Sequence, residues 1–189
     1  VFSLDVHSGI TFAEGVIQDP TQHDIGSGFP PIATGLSAAI HQVFSSSIDP
    51  IPAMRPTEST FNPNPSAQRL LHTYSPDLST CGHIGEVIPL LSQSYYSALS
   101  AFLDSQALHG QTTLNLCALS ATRLAGRFAE DALANHLDPA LITCAVTLAI
   151  AYIRKDNPQA FDGSRIVLHM LGDALLERSV LADSLLKSL

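Results

Sequence analysis

Eight histidines are spread along the chain, and three stretches set one beside a group with which it can do chemistry. The first is TQHDIGSGFPP, residues 21–31, where His23 and Asp24 are adjacent and two glycines follow. An imidazole beside a carboxylate offers two hard-to-borderline ligands for a divalent metal. The second is His169, Asp173 and Glu177, spaced by four, which on a helix would share one face and supply half of a metal or acid–base site. The third is Cys81-Gly82-His83, which reads as a zinc half-site or an activated thiol. No second Cys-x-x-Cys or His-x-x-His half accompanies it, and no His-Glu-x-x-His occurs. Solvated helix faces and loop cysteines account for the second and third stretches at less cost.

His23-Asp24-Ile25-Gly26 resembles, over these four residues, the HDIG core of the HD-type metal phosphohydrolases. In that family the pair sits on helices, and further histidines and an aspartate complete the metal shell. The resemblance implies a small metal-dependent hydrolase with His7, His23 and Asp24 among its ligands. Here Pro20 stands where an apolar helix should precede the pair, SGFPP follows it, and His7 falls on a predicted strand. The residues also describe a turn. Asp24 can accept backbone N–H groups just beyond it, Gly26 or Gly28 can take positive φ, and Pro30-Pro31 would then lead into a helix. The turn is the reading adopted, with no metal, no cofactor and no catalytic residue assigned.

Other common sites fail on spacing. A phosphate-binding G-x-x-x-x-G-K-[ST] is absent, and so is the G-x-S-x-G of a nucleophile elbow. Gly26-Ser27-Gly28 begins a dinucleotide fingerprint, but its third glycine falls on Pro31 and no buried strand is expected before it. None of Glu86, Glu130 or Glu177 has a histidine three residues on, which a helical di-iron centre requires.

With 189 residues, the chain suits one compact folding unit that needs no metal or disulfide staple. Hydrophobic residues make up 46% and charged residues only 14%, against about 25% in ordinary globular domains. A surface poor in charge is easily buried against another protein. The net charge is −8, with nine Lys plus Arg scattered almost singly, which argues against duplex nucleic acid and against an anionic membrane surface. Three cysteines without a framework, and no secretory start in VFSLDVHSG, favour an intracellular, cytoplasmic setting.

Nine of twelve prolines fall before residue 80, and the two halves differ accordingly. Residues 1–83 read as a hairpin, a helix and an arm. In the hairpin Phe2, Leu4 and Val6 alternate with polar neighbours, Ser8-Gly9 turns, and Ile10 and Phe12 resume. A helix follows with Ile32, Leu36, Ala39, Ile40 and Val43 on its apolar face. The proline-rich stretch 47–66 reads as an extended arm, with a short helix over 66–72.

Residues 84–189 read as a core of four helices. The first covers 89–103, through Leu90, Leu91, Tyr95, Leu99 and Phe102. The second covers 112–136, through Leu114, Cys117, Ala121, Leu124 and Phe128. The third follows the Asp138-Pro139 start and is uncharged from Ala140 to Ile153. The fourth runs from about 162–164 to the end. The expected fold is therefore mainly α: a four-helix, bundle-like C-terminal core with an N-terminal β-hairpin, one further helix and a long arm. Depleted charge, an arm and a hairpin in search of partners together suggest a non-catalytic structural or assembly subunit of shell, coat or scaffold type. It would form homo- or hetero-oligomers. A small metal-dependent hydrolase and a helical protein- or ligand-binding module are the alternatives.

Overall fold

The computed structural model describes residues 3–8, 14–21, 35–44, 48–51, 53–121, 123–129 and 137–170. They form a six-stranded mixed sheet with helices on both faces, so the fold is α/β and not a mainly α four-helix bundle. In chain order the elements are β1 (Ser3–Ser8), β2 (Val16–Thr21), α1 (Gly35–Phe44), β3 (Ser59–Phe61), β4 (Leu70–Tyr74), α2 (Ile84–His109), β5 (Thr113–Cys117), α3 (Pro139–Asp156) and β6 (Arg165–Met170). Across the sheet the order is β1-β6-β5-β2-β4-β3. All neighbours are parallel except β3, which pairs antiparallel with β4 at one edge.

The inner strands are buried on both faces, the condition under which a strand loses its polar–apolar alternation. From Leu70 through Thr73 in β4, and from Ile166 through Met170 in β6, every residue is buried. One face is covered by α2 and α3. Val87, Leu91, Tyr95, Leu99 and Phe102 recur at three and four residues along α2 and meet Val146, Ala149 and Ile150 of α3 over Leu71, Leu114, Leu116, Ile166 and Leu168. The other face carries α1, whose Ile40 packs on Ile17, Leu70 and Cys117. Residues 48–58 lead to the edge strand, with Ile51 and Met54 packed by Tyr74.

The second strand of the expected N-terminal hairpin, with Ile10 and Phe12, lies outside the described residues, among which β1 pairs with β6. Three other expectations change. The helix expected over 112–136 is β5 followed by a 3-10 turn over Arg123–Phe128, because Leu114 and Leu116 sit on one strand face rather than along a helix stripe. Where the last helix is expected to start, Arg165–Met170 form β6, and residues 171–189 lie outside the described residues. The short helix over 66–72 is one 3-10 turn, Pro65–Ala67, and then β4.

Helices appear where capping and spacing agree. Asp138 caps α3 by accepting the Ala140 N–H, with Pro139 in the first turn, and Arg154 and Lys155 close its last turn. Gly110 ends α2 at φ 66°. The helix near residue 40 is α1, although Val43 of its expected apolar face is exposed. Among the described residues no helix is long and apolar enough to cross a membrane.

Candidate functional site

From β2 the chain passes to β4 on one side, then crosses back through α2 to β5 and continues through α3 to β6 on the other. The strand order therefore reverses between β2 and β5. In open α/β sheets a crevice forms outside the carboxyl ends of the strands at such a point, and ligands bind there. The hydrogen-bond register shows where the two strands part. β2 and β5 pair only at Val16–Leu114 and Ile17–Asn115, although β5 continues to Cys117 and β2 to Thr21. Gly15 permits the close approach below it: its φ is +100°, and a Cβ there would lie 2.4 Å from the Thr113 carbonyl oxygen.

Above Ile17 side chains replace the ladder. The Gln18 Oε1 accepts the Cys117 N–H at 2.9 Å, its Nε2 donates to Thr73 Oγ1 at 3.2 Å, and the Cys117 thiol donates to the Gln18 carbonyl at 3.1 Å. Tyr95, projecting from α2, donates its hydroxyl to the Cys117 carbonyl and accepts the Leu119 N–H, both at 2.9 Å. The Ser120 N–H donates to Ser75 Oγ at 2.9 Å, and its own hydroxyl donates to the Pro76 carbonyl. The chain leaving β5 is thus fixed at successive residues to β2, α2 and the loop after β4. Burial pushes the Cys117 thiol and the Tyr95 hydroxyl well above their usual range, so both are neutral structural groups.

Beyond Ser120 the loop turns through Gly126, at φ 55° and ψ −130°, where a Cβ would come within 3.0 Å of Ser79. Arg127 donates to the carbonyls of Cys81 and Gly82, and its guanidinium lies 5.1 Å over the Phe128 ring.

A second cluster lies on the α1 face of the same strands. Asp19 of β2 is fully buried; its Oδ2 is 2.8 Å from His72 Nδ1 of β4 and 2.9 Å from His41 Nε2 of α1. Burial alone would raise the carboxyl pKa, but hydrogen bonds from His41 and His72 outweigh it and hold it below the usual range. Asp19, His41 and His72 have ligand atoms within 4.8 Å of one another, the composition of a two-histidine, one-carboxylate metal centre. The surrounding bonds favour protons instead. The Asn62 Oδ1 accepts the N–H groups of Asp49 and Asn64, which fixes its Nδ2 as the donor to the Asp49 carbonyl and to His72 Nε2 at 3.0 Å. His72 Nε2 is then an acceptor and its proton sits on Nδ1, directed at Asp19. A metal-ligating histidine instead donates from its far nitrogen.

The residues singled out from the sequence are not brought together. His7 lies in β1 and pairs in register with His169 of β6, two strands from β2. His23 and Asp24 lie in residues 22–34, which connect β2 to α1 outside the described residues. A buried strand does precede them, contrary to expectation. His169 is a buried strand residue whose Nε2 meets Asn115 Oδ1 at 3.0 Å, and Asp173 and Glu177 lie outside the described residues. Cys81 is a free thiol, raised by burial and by the Glu86 charge, while exposed His83 pairs with Glu86 at 3.3 Å. Gln18, Asp19, His41, Asn62 and His72 carried no motif. Polar residues in a strand read as exposed until the partners that satisfy them are known.

The described residues thus define a three-layer α/β domain whose strand order reverses between β2 and β5. Solved structures have a similar fold. The chain is similar to the Oceanobacillus iheyensis macrodomain solved with ADP, at TM-score 0.58 and 13% identity over 98% of this chain and 90% of that one. It is similar to the Trypanosoma brucei macrodomain in complex with ADP-ribose, at TM-score 0.52 and 14% identity over 96% and 66%. It also matches alphavirus P23pro-zbd, at TM-score 0.57 and 14% identity, over 98% of this chain but only 24% of that one. No family model matches the chain. No curated protein matches it either. The fold is the macrodomain fold. It overturns the expectation of a shell, coat or scaffold subunit and of a helical architecture.

Proposed function

We propose that the chain binds an adenine nucleotide diphosphate, with ADP-ribose as the leading ligand, in the crevice between the carboxyl ends of β2 and β5. The observation that carries this reading is the early end of the β2–β5 ladder at the reversal of strand order, in a fold shared with proteins solved with ADP and ADP-ribose. Rigidity of the crevice wall supports it. A loop already pinned by Gln18, Tyr95 and Ser75 pays little further ordering entropy when a ligand arrives. Gly126 lets backbone approach a ligand closely, and exposed Arg127 puts a cation beside it in a chain of net charge −8. An intracellular setting, where such nucleotides are abundant, goes with this reading and with three unpaired thiols.

Titration calorimetry with ADP-ribose, ADP and ribose 5-phosphate tests it. Saturable one-to-one binding of ADP-ribose, stronger than that of ribose 5-phosphate, is expected. Absence of heat with all three at about 1 mM ligand, a weak limit of affinity, would remove the proposal.

A further inference from the structure

The last residues of β2 have backbone partners on one side only. Their ladder to β5 ends at Ile17, while on the β4 side it runs on to Tyr74 and the Thr21 carbonyl accepts the Ser75 N–H. The side chain of Asp19 adds a tie to α1. Its Oδ2 receives the His72 N–H from β4 and the His41 N–H from α1. His72 is anchored in turn by Asn62, whose amide is fixed to the backbone of Asp49 and Asn64. β2 and α1 are the elements on either side of residues 22–34 in the chain, so one carboxylate oxygen ties the strand that ends at the crevice to the helix that follows it.

Apolar packing at this place would cost less. Burying a carboxylate sacrifices its hydration, and Ile17, Ile40 and Leu70 already form an apolar contact nearby. The charge adds direction: two N–H groups converging on one oxygen fix distance and angle, which apolar contact leaves loose.

We propose that Asp19 is a positioning residue of the crevice. Through His41 and His72 it sets where the carboxyl end of β2 stands against β5, and thereby the affinity for the diphosphate ligand. It touches no ligand itself, and the inference rests on the nucleotide reading above.

The test compares wild type with Asp19→Asn, His41→Gln and Val146→Ala, the last a buried position of α3 that controls for lost stability. Calorimetry should show ADP-ribose binding weakened at least about tenfold in Asp19→Asn, since small misplacements of positioning groups act on this scale. His41→Gln, whose side-chain N–H can still reach Asp19, should bind within about threefold of wild type. Val146→Ala should lower Tm without changing Kd. Wild-type affinity in Asp19→Asn, with Tm lowered as in Val146→Ala, would overturn the proposal. If the wild type takes up no ADP-ribose, the nucleotide reading fails by itself, and hydrogen exchange decides the positioning role. Faster exchange of amides 17–21 and 36–44 in Asp19→Asn but not in His41→Gln sustains it; unchanged exchange overturns it.

Discussion

The hydroxyl of Tyr95 stands 2.9 Å from the carbonyl oxygen of Cys117 and does for β5 what the next strand residue would otherwise do. The hydroxyl oxygen of Tyr95 also accepts the Leu119 N–H, so one phenol from α2 satisfies two backbone groups at the carboxyl end of β5. Both groups are buried, and neither has a ladder partner at this point.

Tyr95→Phe keeps the ring packed and removes only that oxygen. Leaving a buried C=O and N–H unpaired costs about 1–3 kcal/mol for each group. For a domain of this length that lowers Tm by about 2–4 °C per kcal/mol. Chemical denaturation should show the loss, and ADP-ribose affinity should fall with it because the loop after β5 is released. Unchanged stability would mean that the hydroxyl does not hold the loop.

Gly126 tests the loop at its turn. Its φ and ψ lie in a region essentially confined to glycine, and Ser79 crowds the place of a Cβ. Gly126→Val should cost about 1–3 kcal/mol in backbone strain, with further cost from the contact. The variant should lose ligand affinity beyond what Tyr95→Phe loses, a difference that calorimetry on the folded fraction resolves.

Asp19 makes a prediction in pH. Its carboxyl pKa is lowered in the fold by His41 and His72. The ionised group therefore contributes stability that is fully present above its unfolded value of about 3.9 and is lost as pH falls through the folded value. Urea midpoints of wild type and Asp19→Asn should differ above about pH 4 and converge as the solution is made more acid. A difference that persists undiminished at the acid end would show that the carboxylate charge is not what Asp19 contributes.

The helices were legible in the sequence and most strands were not, for a physical reason. Asp138-Pro139 caps a helix wherever it occurs, and 87, 91, 95, 99 and 102 can share a face only on a helix. TLNLC and RIVLHM are short apolar runs whose partners lie tens of residues away, and in isolation such runs fit either a buried strand or a piece of helix. Leu114, Cys117 and Ala121 happen to fall at helical spacing, although Leu114 and Cys117 point to opposite faces of a strand. At the site the difficulty was greater. Gln18 and Asp19 look like surface residues beside Pro20, yet both are fully buried, Gln18 bonded to Cys117 and Thr73 and the Oδ2 of Asp19 to His41 and His72. That pairing exists only once β2, β4, β5 and α1 have assembled.

Titration of the isotope-labelled chain with ADP-ribose, followed by amide resonances, reports the place of binding as well as its strength. Saturable shifts centred on Leu119, Ser120 and Gly126 are expected, with α3 residues such as Tyr152 unmoved. Shifts confined to the exposed groove of Tyr96 and Tyr152 between α2 and α3, or no shifts at all, would contradict binding in the crevice.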